Sequence, residues 1–136
     1  MHKIRGCDEQ GCGHFGASRG HRKHKGIDLE ADNGSIIKAF SSGKVTKIGF
    51  PYRQDDPKRK HFRYVQVTNS EGHDFRYFYI SPVVELHEFV EKGEPLGMLQ
   101  DLTRVYPDIT PHFHFEVKVN NYLVDPHPYF DWYVSA

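Results

Sequence analysis

Pro111-His112-Phe113-His114-Phe115-Glu116-Val117 is the stretch on which the reading of this chain turns. Apolar and polar residues alternate, the period of a strand with one buried face. Residues two apart project from the same face, so His112 and His114 point together while Phe113 and Phe115 point the other way. Two imidazoles fill a core face poorly, whereas they suit a metal site. Glu116 alternates onto the histidine face, where it either partners a ligand imidazole or lies exposed to solvent.

The same period runs outward from this stretch. Ser35 to Phe40 reads as a strand, Ser41 to Gly43 as a turn, and Lys44 to Phe50 as a half-buried strand with Val45 and Ile48 inward. Arg63 to Asn69 carries Tyr64, Val65 and Val67. After a turn at Ser70-Glu71-Gly72, Asp74 to Ile80 is expected as one strand. Phe75, Tyr77 and Tyr79 share one of its faces, Phe78 and Ile80 the other. Gly93 to Leu99 and His112 to Asn120 follow, with Asn120-Asn121 as a hairpin turn into Tyr122 to Val124. The fold class is therefore all-β, a small antiparallel domain. Pro51 to Lys60 is a polar insertion, containing Asp55-Asp56-Pro57 and Lys58-Arg59-Lys60. It reads as a solvated hairpin loop rather than a contact for an anionic polymer.

A chain of 136 residues, 38% apolar and 14% aromatic, fits one domain over its whole length and one core. The 18 basic and 18 acidic residues cancel, so the basic excess of a nucleic-acid binder is missing. No apolar run approaches the roughly 20 residues of a membrane span. No signal peptide precedes Cys7. The start at Met1 fits a mature fragment, a domain cut from a longer chain, or export by another route.

Ten histidines is a high count for this length. His2, His61, His73, His87 and His127 read as surface residues, and so do His14 and His21. His24-Lys25-Gly26-Ile27-Asp28 is different. Gly26 disfavours a helix, so the segment reads as a turn entering a strand, which lets an imidazole and a carboxylate converge. Taken with the first stretch, two histidines and one carboxylate make a three-ligand set suited to zinc, with a fourth position open to water. With Cys7 and Cys12 the only cysteines, a cysteine-rich structural zinc site cannot be built. These two are either a disulfide or two free thiols.

His24…Asp28 followed by His112-Phe113-His114 resembles the paired motifs of the lysostaphin-type (LytM-like) zinc metallopeptidases. Gly34 to Ala39, Gly43-Lys44-Val45, Val90 to Gly97 and Val124-Asp125-Pro126 are similar to further segments of that family. Ile4 to Asp8, Gly11-Cys12-Gly13, Phe78-Tyr79-Ile80 and Val105-Tyr106-Pro107 resemble its leukocyte cell-derived chemotaxin-like subgroup, secreted zinc-binding members not regarded as peptidases. The resemblance implies a groove floored by the metal strands, zinc held by His24, Asp28 and His114, and His112 as the base on zinc-bound water. It also implies a Cys7–Cys12 disulfide in an N-terminal extension (residues 1–19). One position departs from the family. Tyr77-Phe78-Tyr79-Ile80-Ser81 puts Tyr79 where a second catalytic histidine usually stands. A phenol with a pKa near 10 cannot act as a base at neutral pH. It can donate to a developing oxyanion, line a groove wall, or mark a site that binds without cutting.

The expectation is thus a monomeric, secreted or periplasmic zinc endopeptidase acting on the peptide stems or cross-bridges of bacterial peptidoglycan, with His112 and Tyr79 as catalytic residues. Its alternative is a catalytically inactive zinc-bearing module that recognises a peptide, a glycan or a receptor. Tyr64 and Tyr106 are expected on the groove wall.

Overall fold

The alternating segments do form strands, and the computed structural model describes residues 3–8, 11–19 and 22–129. In chain order these strands are β1 (Cys7–Asp8), β2 (Gly11–Cys12), β3 (Ser18–Arg19), β4 (Arg22–Lys23), β5 (Ile27–Glu30), β6 (Ile36–Lys38) and β7 (Gly43–Gly49). They continue as β8 (Tyr64–Thr68), β9 (Asp74–Phe78), β10 (Ile80–Pro82), β11 (Phe89–Val90), β12 (Pro95–Leu99), β13 (His112–Val119) and β14 (Tyr122–Val124). All strand pairs among the described residues are antiparallel. Among those residues no helix is long and apolar enough to cross a membrane.

The largest sheet runs β11-β7-β8-β9-β13-β14, with β5 also pairing β13. One edge of β13 takes β9, while its other edge takes β5 along its first half and β14 along its second. The histidine strand is therefore covered on both sides. A three-stranded sheet, β10-β12-β6, lies apart from it. Phe113, Phe115, Val117, Tyr77 and Val65 from the large sheet pack in one core with Ile37, Ile80, Leu96 and Leu99 from the small one. Full burial of each such side chain contributes roughly 1.5–3 kcal/mol. The opposite face of β13 carries His112, His114 and Glu116, as period two requires. At the hairpin, Asn120 (φ 53°) and Asn121 (φ 67°) take the left-handed conformations of the expected turn.

The strand expected over Asp74 to Ile80 is in fact two strands. Tyr79 sits at φ 72°, a conformation that crowds any side chain and is rare for a bulky one. The twist ends β9 and sends the chain into the small sheet. Its cost is offset locally: Tyr79 N–H donates to the Arg63 carbonyl (2.8 Å), and Tyr79 C=O accepts from Gln100 N–H (2.8 Å). As a result Ile80, and not Tyr79, joins Phe75 and Tyr77 in the core. Tyr79 packs instead in a second cluster around Phe62, Leu102 and Ile109.

Gly26 sets the approach of the His24 turn to β13. A Cβ there would lie 2.2 Å from the Phe115 carbonyl oxygen and 3.0 Å from Glu116 Cγ. Backbone cannot yield as a flexible side chain does. Gly26→Ala is expected to destabilise the protein by about 1–3 kcal/mol, the usual cost of overpacking. Urea denaturation of the two proteins measures it.

Candidate metal centre

Strand register brings the distant motifs together. Within β5 and β13, Asp28 stands directly opposite His114, so their side chains share a face. His114 is in turn opposite Phe78, and Phe78 opposite Tyr64. At the far edge, an isolated bridge between Ile4 and Leu29 sets Arg5 beside Asp28, and Arg5 N–H donates to the Asp28 carbonyl at 2.6 Å. One row of side chains thus crosses the sheet from Arg5 through Asp28, His114 and Phe78 to Tyr64. A neighbouring row pairs Glu116 with Arg76.

His24 reaches this row from the turn before β5. Its backbone is tied to the 14–17 loop, with His24 N–H donating to the Ala17 carbonyl (2.7 Å) and Gly16 N–H to the His24 carbonyl (3.0 Å). His24 Nδ1 lies 2.9 Å from the His14 carbonyl oxygen, an acceptor only. The proton therefore sits on Nδ1, and Nε2 presents a lone pair. That Nε2 is 2.9 Å from His114 Nδ1 and 3.0 Å from Asp28 Oδ1, and His114 Nδ1 is 2.9 Å from the same oxygen.

Each of the three converging residues has its remaining polar atom engaged. His114 Nε2 meets Glu116 Oε2 at 2.9 Å, and Glu116 Oε1 accepts from Arg76 Nη1 at 3.0 Å. Asp28 Oδ2 accepts from Arg5 Nε (3.1 Å) and Nη2 (3.0 Å). Outer partners of this kind orient metal ligands and fix their tautomers. A tetrahedral zinc with bonds of about 2.0–2.1 Å keeps its ligands about 3.3 Å apart. The two nitrogens and one oxygen therefore fit such an ion after opening by a few tenths of an ångström. His24, Asp28 and His114 are the set among the described residues whose ligand atoms gather closely enough to hold a metal.

The electrostatics follow from burial and pairing. Asp28 is buried, which by itself raises its pKa, but hydrogen bonds from His114 and His24 outweigh this and hold it well below the usual carboxylate range. Burial pushes His114 down, yet Asp28 and Glu116 together raise it to about 9. Glu116 is also raised by burial, and the His114 contact and Arg76 bring it below its ordinary value. Burial lowers His112 against the pull of Asp28. Its Nδ1 meets the Thr110 carbonyl at 2.7 Å, so neutral His112 carries its proton there and turns an unprotonated Nε2 towards Asp28 Oδ2, 3.4 Å away.

These residues line a cleft of about 370 Å³. Tyr52, Tyr79 and Tyr106 contribute aromatic surface to it, and Lys23, Lys25 and Arg59 contribute charge. The Tyr79 ring stands edge-on to His112, 6.0 Å between centroids. Its hydroxyl is 2.9 Å from that of Tyr52. Burial and the neighbouring Tyr52 raise the Tyr79 pKa well above 10.

Most expected positions thus meet in one place. His24, Asp28, His112, His114 and Tyr79 line the cleft together with Tyr106, and Glu116 takes the partner role. Tyr64 stands one strand further, stacked on Phe78 with centroids 5.1 Å apart. The Pro51 to Lys60 insertion forms turns, as expected of a loop, but its ends bring Tyr52 and Arg59 into the cleft. His14 is exposed and enters through its backbone alone; His2 and His21 lie outside the described residues. Sequence reasoning missed Arg5, Arg76 and Tyr52. Each acts through a partner at least 23 residues away, and no local pattern marks them.

Comparison with known proteins agrees with this geometry. Residues 22–126 match the family described as Peptidase family M23. Leukocyte cell-derived chemotaxin-2 of Mus musculus is 35% identical over 114 residues, covering 84% of this chain and 72% of that protein. The DD-carboxypeptidase/endopeptidase Mpg of Neisseria meningitidis serogroup B is 27% identical over 105 residues, 77% of this chain and 22% of that protein. Among solved structures, the catalytic domain of the antimicrobial peptidase lysostaphin from Staphylococcus simulans superposes with a TM-score of 0.68 at 23% identity, covering 88% of this chain and 89% of that one. The fold is lysostaphin-like, and this chain belongs to peptidase family M23.

Proposed function

We propose that this chain is a zinc-bearing recognition module, one that keeps the metal centre of its family without a complete cutting machinery. His24, Asp28 and His114 hold the zinc, which when bound would supply a Lewis acid. The observation that carries the reading is Tyr79. It occupies the place of the second catalytic histidine by resemblance, its hydroxyl is engaged by Tyr52, and its raised pKa keeps it protonated. A group in that state cannot accept a proton at neutral pH. The 35% identity to a chemotaxin supports the same reading. The ligand is a peptide, glycan or receptor segment met in a secreted or periplasmic setting. The cleft's tyrosines suit apolar groups, and Lys23, Lys25 and Arg59 suit an anionic one.

A second reading, a peptidoglycan endopeptidase, is favoured by His112. A neutral imidazole with a bare Nε2 beside the metal ligands can take a proton from water and return it to a leaving amine. Here Tyr79 would donate a hydrogen bond to the oxyanion. The similarity to Mpg supports this reading at lower identity.

β1 and β2 set Cys7 directly opposite Cys12. Opposed Cα atoms of an antiparallel pair lie about 4.5–5.5 Å apart, inside the range a disulfide accepts. We take the two as a disulfide that pins the N-terminal segment, in keeping with an oxidising compartment. Thiol titration of protein purified from such a compartment should find none before reduction and two after it.

Zinc content is expected at one per chain and is lost on chelation. His114→Ala and Asp28→Ala should abolish stoichiometric binding, while His112→Ala keeps it; elemental analysis after dialysis reads all three. Binding at His114 Nδ1 displaces a proton held with a pKa of about 9. Apparent affinity should therefore rise about tenfold per pH unit between pH 7 and 8, which competition with a chromophoric chelator measures.

Activity separates the two readings. Zinc-loaded protein incubated with purified peptidoglycan should release no muropeptides detectable by mass spectrometry, and neither should Tyr79→Phe or Tyr79→His. Release by the wild type would replace the first reading with the second. In that event Tyr79→Phe should cut about 100-fold more slowly, the cost of one lost oxyanion donor.

A further inference from the structure

The two oxygens of Asp28 are treated very differently. Oδ1 faces His24 Nε2 and His114 Nδ1, at 3.0 and 2.9 Å. Oδ2 takes two donors from one guanidinium, Arg5 Nε at 3.1 Å and Nη2 at 3.0 Å, and Arg19 Nη2 lies 3.5 Å away. Arg5 is not a surface residue that happens to reach inward. It is 2% exposed, its Nη1 is 2.8 Å from Asp8 Oδ2, and its backbone is bonded to β5 as an added edge strand. The Cβ of Arg5 also leaves no room beside Gly13, where a side chain would approach to 2.7 Å.

A free carboxylate can give a metal one oxygen or both. If both bind, the second oxygen takes the coordination position that a water or a ligand group would otherwise fill. A guanidinium placed beside a dication opposes it electrostatically, so affinity alone gives no reason for burying one here. Geometry does give one. Arginine is well suited to the task, because its planar donors hold an oxygen in a fixed direction where an ammonium is only a point charge.

We propose that Arg5 is a positioning residue of the metal centre: by occupying Oδ2 it makes Asp28 a one-oxygen ligand and keeps the fourth coordination position open. The N-terminal segment is then a working part of the site. This inference rests on the reading that the centre holds zinc, and it applies whether the open position serves recognition or hydrolysis.

Cobalt(II) tests it, since its visible absorption shifts when an added anion such as azide enters an open coordination position. The full chain is loaded with cobalt as wild type, Arg5→Gln and Arg5→Lys, with circular dichroism of each to verify the fold. Azide should shift the wild-type spectrum, while in Arg5→Gln, where the second oxygen fills that position, azide affinity should fall about tenfold or more, with Arg5→Lys between. A folded Arg5→Gln with one cobalt that takes azide as the wild type does overturns the inference. Should Arg5→Gln fail to fold, the crystal structure of the zinc-loaded wild type decides. One Asp28 oxygen on zinc with Arg5 on the other upholds the inference, and two oxygens on zinc overturn it. A wild type that binds neither metal overturns the zinc reading itself, and this inference with it. That result is distinct because no variant is needed to see it.

Discussion

The carboxylate of Asp28 is 3% exposed, and an ion so placed costs several kcal/mol unless its charge is answered. The structure answers it from two sides. His114 and His24 meet one oxygen, while Arg5 and Arg19 meet the other. Each of these residues arrives on a different element. β13 brings His114 by register, the 14–17 loop fixes His24, and the added edge at residues 3–5 brings Arg5. Without metal, the proton on His114 supplies part of the compensating charge. Zinc would replace that proton and supply more, so the same geometry serves both states.

Tyr79 shows how a backbone constraint becomes a functional one. In an unbroken strand it would follow Tyr77 into the core. Its left-handed conformation, which costs on the order of 1–3 kcal/mol, instead turns the chain into the second sheet and swings the ring to the side of His112. The hydrogen bonds to Arg63 and Gln100 hold it there, with the Phe62 ring 5.2 Å away. A residue at this bend necessarily faces the cleft. A histidine there could exchange protons near neutrality, whereas a buried tyrosine pair cannot.

The chain is neutral overall, but its charges are not evenly spread. The cleft gathers lysines and arginines around two carboxylates that are already paired within the site. Composition alone hides this, because it sums over surfaces that no ligand meets together.

Much was nonetheless legible in the sequence. Period two fixed the faces of β13, so His112 and His114 on one side and Phe113 and Phe115 on the other follow from covalent geometry. The Asn120-Asn121 turn followed from the tolerance of asparagine for left-handed φ, and the pairing of the His24 and His114 motifs from a resemblance carried by their spacing. What only tertiary structure decided were the relations between segments. The opposition of Asp28 and His114, the Glu116–Arg76 pair and the burial of Arg5 are consequences of strand register, which long-range pairing sets and no local pattern encodes. The break at Tyr79 belongs to the same class. Its strain is tolerated because Arg63 and Gln100, 16 and 21 residues away, hold the backbone on both sides.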